Sequence, residues 1–277
     1  MNALALDIGG TKIDVCHITR NYQTTAHRRY SSQTTRAGTP AFLEDIKIII
    51  KDNLKPNDKK ICLSFNCAVF NGTVVTSSLL SSNNLPLNRI LSKTFGRPCF
   101  IENDVKCMAL AERVFGKGKY VENLVLINIG TGLAITAITE GKLLRGYRNQ
   151  AGEIGSLFEH TVSGRGLACI YKTFKKNKTK TAEEIFQSDK SDSKARRAIT
   201  FFQTQLGELL KTASLFYNPE LLILTGSVTK SAPAFLSKAI VHYRSNTSPY
   251  FHARKIEVSR LRHSACLGAV LSSNLKQ

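Results

Sequence analysis

Two glycine turns constrain this chain more than any other feature. Asp7-Ile8-Gly9-Gly10-Thr11-Lys12 closes the first apolar segment, and Ile129-Gly130-Thr131-Gly132 closes another about halfway along. Each lies between two short segments of β character. Glycine lets a tight hairpin bring backbone N–H groups against a bound group with no Cβ in the way. Two such turns suit the clamping of one polyphosphate from two sides.

The segments around the turns form a repeated order. Residues 3–8, 12–18 and 25–31 read as consecutive strands. A helix opens near Pro40, with Ile46, Ile49, Ile50 and Leu54 on its apolar face. A strand is expected at 60–65, a hairpin over 69–77 around Asn71-Gly72, and a short strand at 98–101. Glu102-Asn103-Asp104 then leads into a helix ending near 114. The second half has strands at 124–129, 133–139 and 142–145, and a helix from 163 to about 174. Thr181-Ala182-Glu183-Glu184 is a capping box that starts a short helix. A long helix follows over 195–217, then a strand at 221–224 and a helix from about 233. A strand at 256–259 and a helix over 265–271 complete the order. Each half therefore reads β-β-β-α-β. The expected architecture is α/β, with two lobes and a central cleft: an N-terminal lobe over 1–115, joined by a C-terminal helix at 263–277, and a second lobe over 116–262.

Composition narrows the class. The chain has 277 residues, enough for two α/β lobes with cores, and its hydrophobic content of 42% is that of an ordinary globular protein. No signal-peptide pattern opens it, and no apolar run approaches the roughly 20 residues that span a bilayer. A cytoplasmic protein without a membrane partner is expected. Cys16, Cys62, Cys67, Cys99, Cys107, Cys169 and Cys266 are scattered without metal-ligand spacing and read as reduced, mostly packed thiols. The net charge of +19 is high, but Lys and Arg are spread along the chain. The one dense cluster, Lys175-Lys176-Asn177-Lys178-Thr179-Lys180, is short. No helix-turn-helix or zinc-finger pattern occurs, so a basic surface attracting anionic nucleotides is expected rather than nucleic-acid recognition.

Several residues can carry chemistry. Asp7 can hold Mg²⁺ through water, while the N–H groups of Gly9 and Gly10, the Thr11 hydroxyl and the Lys12 ammonium can hold phosphate oxygens. Thr131 and Gly132 supply a second set of donors. Gly226, where a strand meets a helix, allows a base or ribose to approach the backbone. Asp104 can cap its helix or act as a base on an attacking hydroxyl. Glu153 and Glu159 can accept hydrogen bonds from sugar hydroxyls. His160 has no partner ligands nearby and reads as a surface residue.

Together these segments resemble the ROK family of sugar kinases and repressors, within the actin/hexokinase-like ATPase superfamily. The collinear set is the phosphate turn, Ile101-Glu102-Asn103-Asp104, Gly130-Thr131-Gly132, Ala151-Gly152-Glu153-Ile154-Gly155, Ser163-Gly164-Arg165-Gly166, Leu224-Thr225-Gly226-Ser227-Val228 and Leu267-Gly268-Ala269. The resemblance implies an actin-like, ribonuclease H-like fold and ATP-dependent phosphorylation of a hexose or N-acetylhexosamine, usually at O6. It implies Asp104 as general base, and Asn84, Asn103, Glu153 and Glu159 at the sugar. It places Asp7, Gly9, Gly10, Thr11, Lys12, Thr131 and Gly132 at the phosphates and Mg²⁺, and Gly226 beside the adenosine. It allows a homodimer.

The departures are specific. Ser156 stands where many members have His, and the cysteine-rich zinc loop is missing, so no structural zinc is expected. Cys67, Ala134 and Thr225 replace glycines common in the family. Zinc-free relatives tilt the acceptor toward an N-acetylhexosamine, with glucose, N-acetylglucosamine, N-acetylmannosamine and fructose all open. The alternatives are a non-catalytic binder of sugar or nucleotide and a sugar-responsive regulator. Regulators of the family carry a DNA-binding domain ahead of the phosphate turn. The first strand starts at about Ala3, so that domain is not expected.

Overall fold

A computed structural model describes residues 1–32, 35–174, 180–188 and 191–275. The cluster at 175–179 lies outside these. The chain divides into two compact units, one of residues 1–115, 145–151 and 261–277, the other of 116–144 and 152–260.

In the first unit, β1 (Asn2–Ile8), β2 (Lys12–Ile18) and β3 (Thr24–Ser31) form an antiparallel meander. After α1 (Phe42–Asn53), β4 (Asp58–Phe65) pairs parallel with β1. A small sheet of β5 (Ala68–Phe70), β6 (Thr73–Ser77) and β7 (Ser82–Leu85) follows, then α2 (Leu87–Phe95), β8 (Cys99–Asn103) and α3 (Asp104–Phe115). The main sheet runs β3-β2-β1-β4-β8. Asn71 and Gly72 both have positive φ (49° and 71°), the backbone that the expected hairpin turn requires.

The second unit repeats this plan. It contains β9 (Leu124–Ile129), β10 (Leu133–Thr139), β11 (Lys142–Leu143), α4 (Gly164–Phe174), α5 (Ala182–Gln187), α6 (Ser193–Tyr217), β12 (Leu221–Thr225), α7 (Ala232–Ser245) and β13 (Lys255–Val258). Its sheet order, β11-β10-β9-β12-β13, matches that of the first unit, and β9 pairs antiparallel with β10 and parallel with β12. The expected capping box is present: Glu184 N donates to Thr181 Oγ1, and Thr181 N donates to Glu184 Oε2. The last helix, α8 (Ser264–Ser272), returns to the first unit.

Two differences from the sequence expectation stand out. The α2 helix was not expected, although Leu87, Leu91 and Phe95 recur at helical spacing between Pro86 and Gly96, whose φ of 61° ends the helix. The strand expected at 142–145 ends at Leu143, because Gly146 (φ 62°) turns the chain and Arg145 goes to Glu102.

The sheet of the first unit is covered on both faces, with side chains sized for each cover. Leu4, Leu6, Ile8, Ile13 and Val15 pack against Phe42, Ile46 and Ile50 of α1. The opposite face carries Ala3, Ala5, Cys16 and Cys62, which meet Cys107 and Ala111 of α3 and Cys266 and Ala269 of α8. Small residues there let the two helices lie close to the sheet and to each other. All seven cysteines are free thiols, and only Cys169 is exposed. Among the described residues, no helix is long and apolar enough to cross a membrane.

A methyl group on Gly268 would run into the carbonyl of Cys107. Gly268→Ala is therefore expected to lower stability by about 1–3 kcal/mol, the usual scale for overpacking a filled core. A urea titration measures this through the shift in midpoint at unchanged slope.

Candidate active site

The first unit brings Asp7 and Asp104 together at the end of its sheet. Asp7 is the penultimate residue of β1, and its Oδ1 accepts a hydrogen bond from Ser64 Oγ on β4 at 2.8 Å. The following turn closes through Gly9 N to Lys12 O at 3.0 Å. Ser32 holds it from the end of β3, donating its N–H to Thr11 O and its hydroxyl to Gly9 O at 2.9 Å. Gly10 has open space where a Cβ would be, and Thr11 and Lys12 are exposed. Lys12 Nζ lies 3.5 Å from Asp14 Oδ2, and Asp14 is also bound by Arg29 and His27.

Burial pushes the Asp7 carboxyl up to about 7, and the charge of Asp104 adds to the rise. Two neighbouring carboxylates suit a hard divalent cation. One carboxylate completed by water is the usual form for Mg²⁺. Among the described residues no group of three or more His, Cys, Asp or Glu is placed to hold a metal.

Asp104 is the first residue of α3, where the helix dipole favours a carboxylate, and its Oδ1 accepts from Val105 N at 2.8 Å. Asn103 performs the capping instead, its Oδ1 accepting from Lys106 N at 3.2 Å. Asn103 Nδ2 also donates to Cys67 O at 3.1 Å, which ties the loop after β4 to the end of β8. Asn84 is on β7, exposed, with a φ of 52°.

The second unit builds a pocket on its own glycine turn. Gly130 N donates to Gly132 O at 2.9 Å, while Gly164 N and Arg165 N at the start of α4 donate to Gly130 O and Thr131 O. Beside this turn is a cavity of about 380 Å³ lined by Thr131, Arg165, Phe186, Ser227, Val228 and Lys230, among others. Gly226 (φ 98°) borders it in sequence. The space a Cβ would take there is filled by the Ile129 carbonyl and Asn128, so close packing of β12 on β9 explains this glycine.

Glu153 is exposed and begins a 3-10 turn, Glu153–Leu157, in which Ser156 Oγ donates to Glu153 O at 2.8 Å. The charge of Glu153 reaches Tyr217 at the end of α6. Burial first, and that charge second, raise the Tyr217 phenol above its ordinary value. Glu159 leans over the glycine turn: its Oε1 accepts from Arg165 Nη2 at 3.1 Å and would lie 2.6 Å from a Cβ on Gly132. His160 is exposed. Sequence reasoning did not single out Arg165, Phe186, Lys230 or Tyr217. The motif Ser163-Gly164-Arg165-Gly166 was a signal for the first of them, but nothing in spacing marks the others.

The chain matches the ROK family over residues 3–158 and 156–272, and belongs to it. Its relatives carry both kinase and repressor names. It is 25% identical to a beta-glucoside kinase of Listeria monocytogenes, over 88% of each chain. It is 28% identical to the xylose repressor of Caldicellulosiruptor bescii, over 74% of this chain but 60% of the repressor. Among solved structures, the Lmo2764 protein of Listeria monocytogenes superposes with a TM-score of 0.86 at 25% identity, over 98% of both chains. A ROK family glucokinase from Streptomyces griseus, solved with glucose and AMPPNP, has a TM-score of 0.80 at 18% identity, over 97% of this chain and 98% of that one. These neighbours have the α/β, actin-like ATPase fold expected from the sequence.

The raised Asp7 carboxyl has a consequence for stability. The unfolded chain keeps this group near its ordinary 3.8 and the folded chain holds it at about 7, so folding takes up a proton between those values. Its contribution to stability is full below pH 4, declines as pH rises through the window, and is lost above about 7. Asp7→Asn keeps an acceptor for Ser64 and removes the charge. In EDTA it is expected to melt above wild type at pH 8, with the gap closing toward pH 4. Equal melting temperatures at pH 8 would count against the half-buried, destabilised carboxylate.

Proposed function

We propose that this protein phosphorylates a sugar hydroxyl with ATP. The observation that carries the reading is the pairing of Asp7 and Asp104 in one unit, next to a glycine turn with exposed Thr11 and Lys12. A phosphoryl transferase needs a base at the acceptor and donors at the phosphates, with little covalent chemistry of its own.

In this reading Asp104 accepts the proton of the attacking hydroxyl, O6 of a hexose or N-acetylhexosamine. Asp7 would hold Mg²⁺, and the cation when bound would offset charge on the β and γ phosphates. Gly9, Gly10, Thr11 and Lys12 bind phosphate oxygens, and Thr131 and Gly132 are further phosphate donors. The nucleotide base takes the apolar wall of Phe186 and Val228 near Gly226, with Lys230 and Arg165 attracting the anionic end. Asn84, Asn103 and Glu153 orient the sugar. Glu159 aligns the Arg165 guanidinium in addition to any contact with the acceptor.

A second reading follows from the xylose repressor relatives: a sugar-responsive regulator built on the same fold. A salt-dependent, sequence-selective shift of DNA by the protein would favour it.

ADP release, measured with Mg-ATP against a panel of hexoses and N-acetylhexosamines, tests the kinase reading and names the acceptor. Asp104→Ala is expected to fold and to lose turnover by about 10²- to 10⁴-fold, the usual effect of removing a general base. Near-normal turnover in that variant would remove Asp104 from the role.

A further inference from the structure

Residues 145–151 are a short excursion of the chain into the first unit, between two stretches of the second. Asn149 is the side chain with the most bonds holding it there, with Arg145 beside it. Asn149 sits in the left-handed backbone region (φ 62°), which Asn tolerates better than most residues. Its Nδ2 donates to Val69 O at 3.0 Å and to Glu102 Oε1 at 2.8 Å. Its Oδ1 accepts from Arg145 Nη1 and from Lys106 Nζ, both at 3.0 Å, and its backbone oxygen also accepts from Lys106 Nζ.

Glu102 and Lys106 are each 2% exposed and flank Asp104 in the chain, two residues to either side. The Glu102 carboxylate is satisfied by Arg145 Nη1 at 2.8 Å, by Asn149, by Asn103 N at 3.0 Å and by Ser272 Oγ at 3.4 Å. Buried charges of this kind are costly unless each is bonded, so loss of one partner is felt by the rest. The junction of β8 and α3 is thus gripped on both sides of Asp104 by groups that meet at Asn149.

We infer that Asn149 is a positioning residue for Asp104, acting through Glu102 and Lys106. The inference rests on the proposed role of Asp104 as base. The side chain touches neither reactant. It sets where the carboxylate points, and an error of about 1 Å there costs on the order of 10²-fold in rate.

The test compares wild type, Asn149→Ala and Glu102→Gln in the full chain. Steady-state ADP release is measured with the acceptor sugar, together with hydrogen exchange over 145–151. Asn149→Ala is expected to lower kcat by about 10- to 100-fold, leave the KM for ATP near that of wild type, and speed exchange in 145–151. Glu102→Gln keeps the shape and one acceptor, so it should fall between the two. It also carries the test if Asn149→Ala does not fold. A variant with wild-type kcat but a lower melting temperature overturns positioning and leaves a structural tie. Unchanged exchange overturns the fastening itself. Absence of sugar-dependent turnover in wild type overturns the kinase reading, and the positioning of its base falls with it.

Discussion

Burial of the central strand on both faces is the constraint from which each unit follows. β1 has helices against large side chains on one face and against small ones on the other. No solvent-facing side is left on which to place a polar group. Polar chemistry is therefore pushed to the strand's end, where Asp7 emerges, and the chain must reverse at once to supply β2. β9 meets the same demand and answers with Gly130-Thr131-Gly132. The low-dielectric setting that makes the strand a good core element is also what lifts the Asp7 carboxyl toward neutrality.

Much of this was legible in the sequence because it is local. Asn71-Gly72 encodes a hairpin by backbone preference, Thr181 and Glu184 encode a helix start by mutual hydrogen bonds, and the apolar spacing of Ile46, Ile49 and Ile50 encodes a face. The repeat of strand order could be read because each unit has to solve the same packing problem. The α2 helix shows the limit of such reading: its signal of Leu87, Leu91 and Phe95 was present but short.

What could not be read is what long-range contact decides. Asn103 and Asp104 both suit a helix start; the bond from Lys106 N assigns the cap to Asn103, whose amide nitrogen is held by the distant Cys67 O. Glu159, expected at the sugar from its glycine-rich stretch, also accepts from Arg165 beside the second turn, a bond that spacing did not mark. Three of the partners of Glu102 lie at Arg145, Asn149 and Ser272, far along the chain, and no periodicity or motif links them.

The placement of α8 has a consequence for the order in which the protein is made. Cys266, Leu267, Ala269 and Val270 fill the core against Ala3, Ala5 and Cys16. During synthesis the first unit therefore waits, with the small-residue face of its sheet covered by α3 alone, until residues 264–272 emerge from the ribosome. The second unit is complete by residue 260 and can fold while that face is still partly open. Mostly small side chains on the waiting face suit this interval, since Ala3, Ala5, Cys16 and Cys62 beside Ile18 offer less to aggregate than the Leu and Ile face already covered by α1.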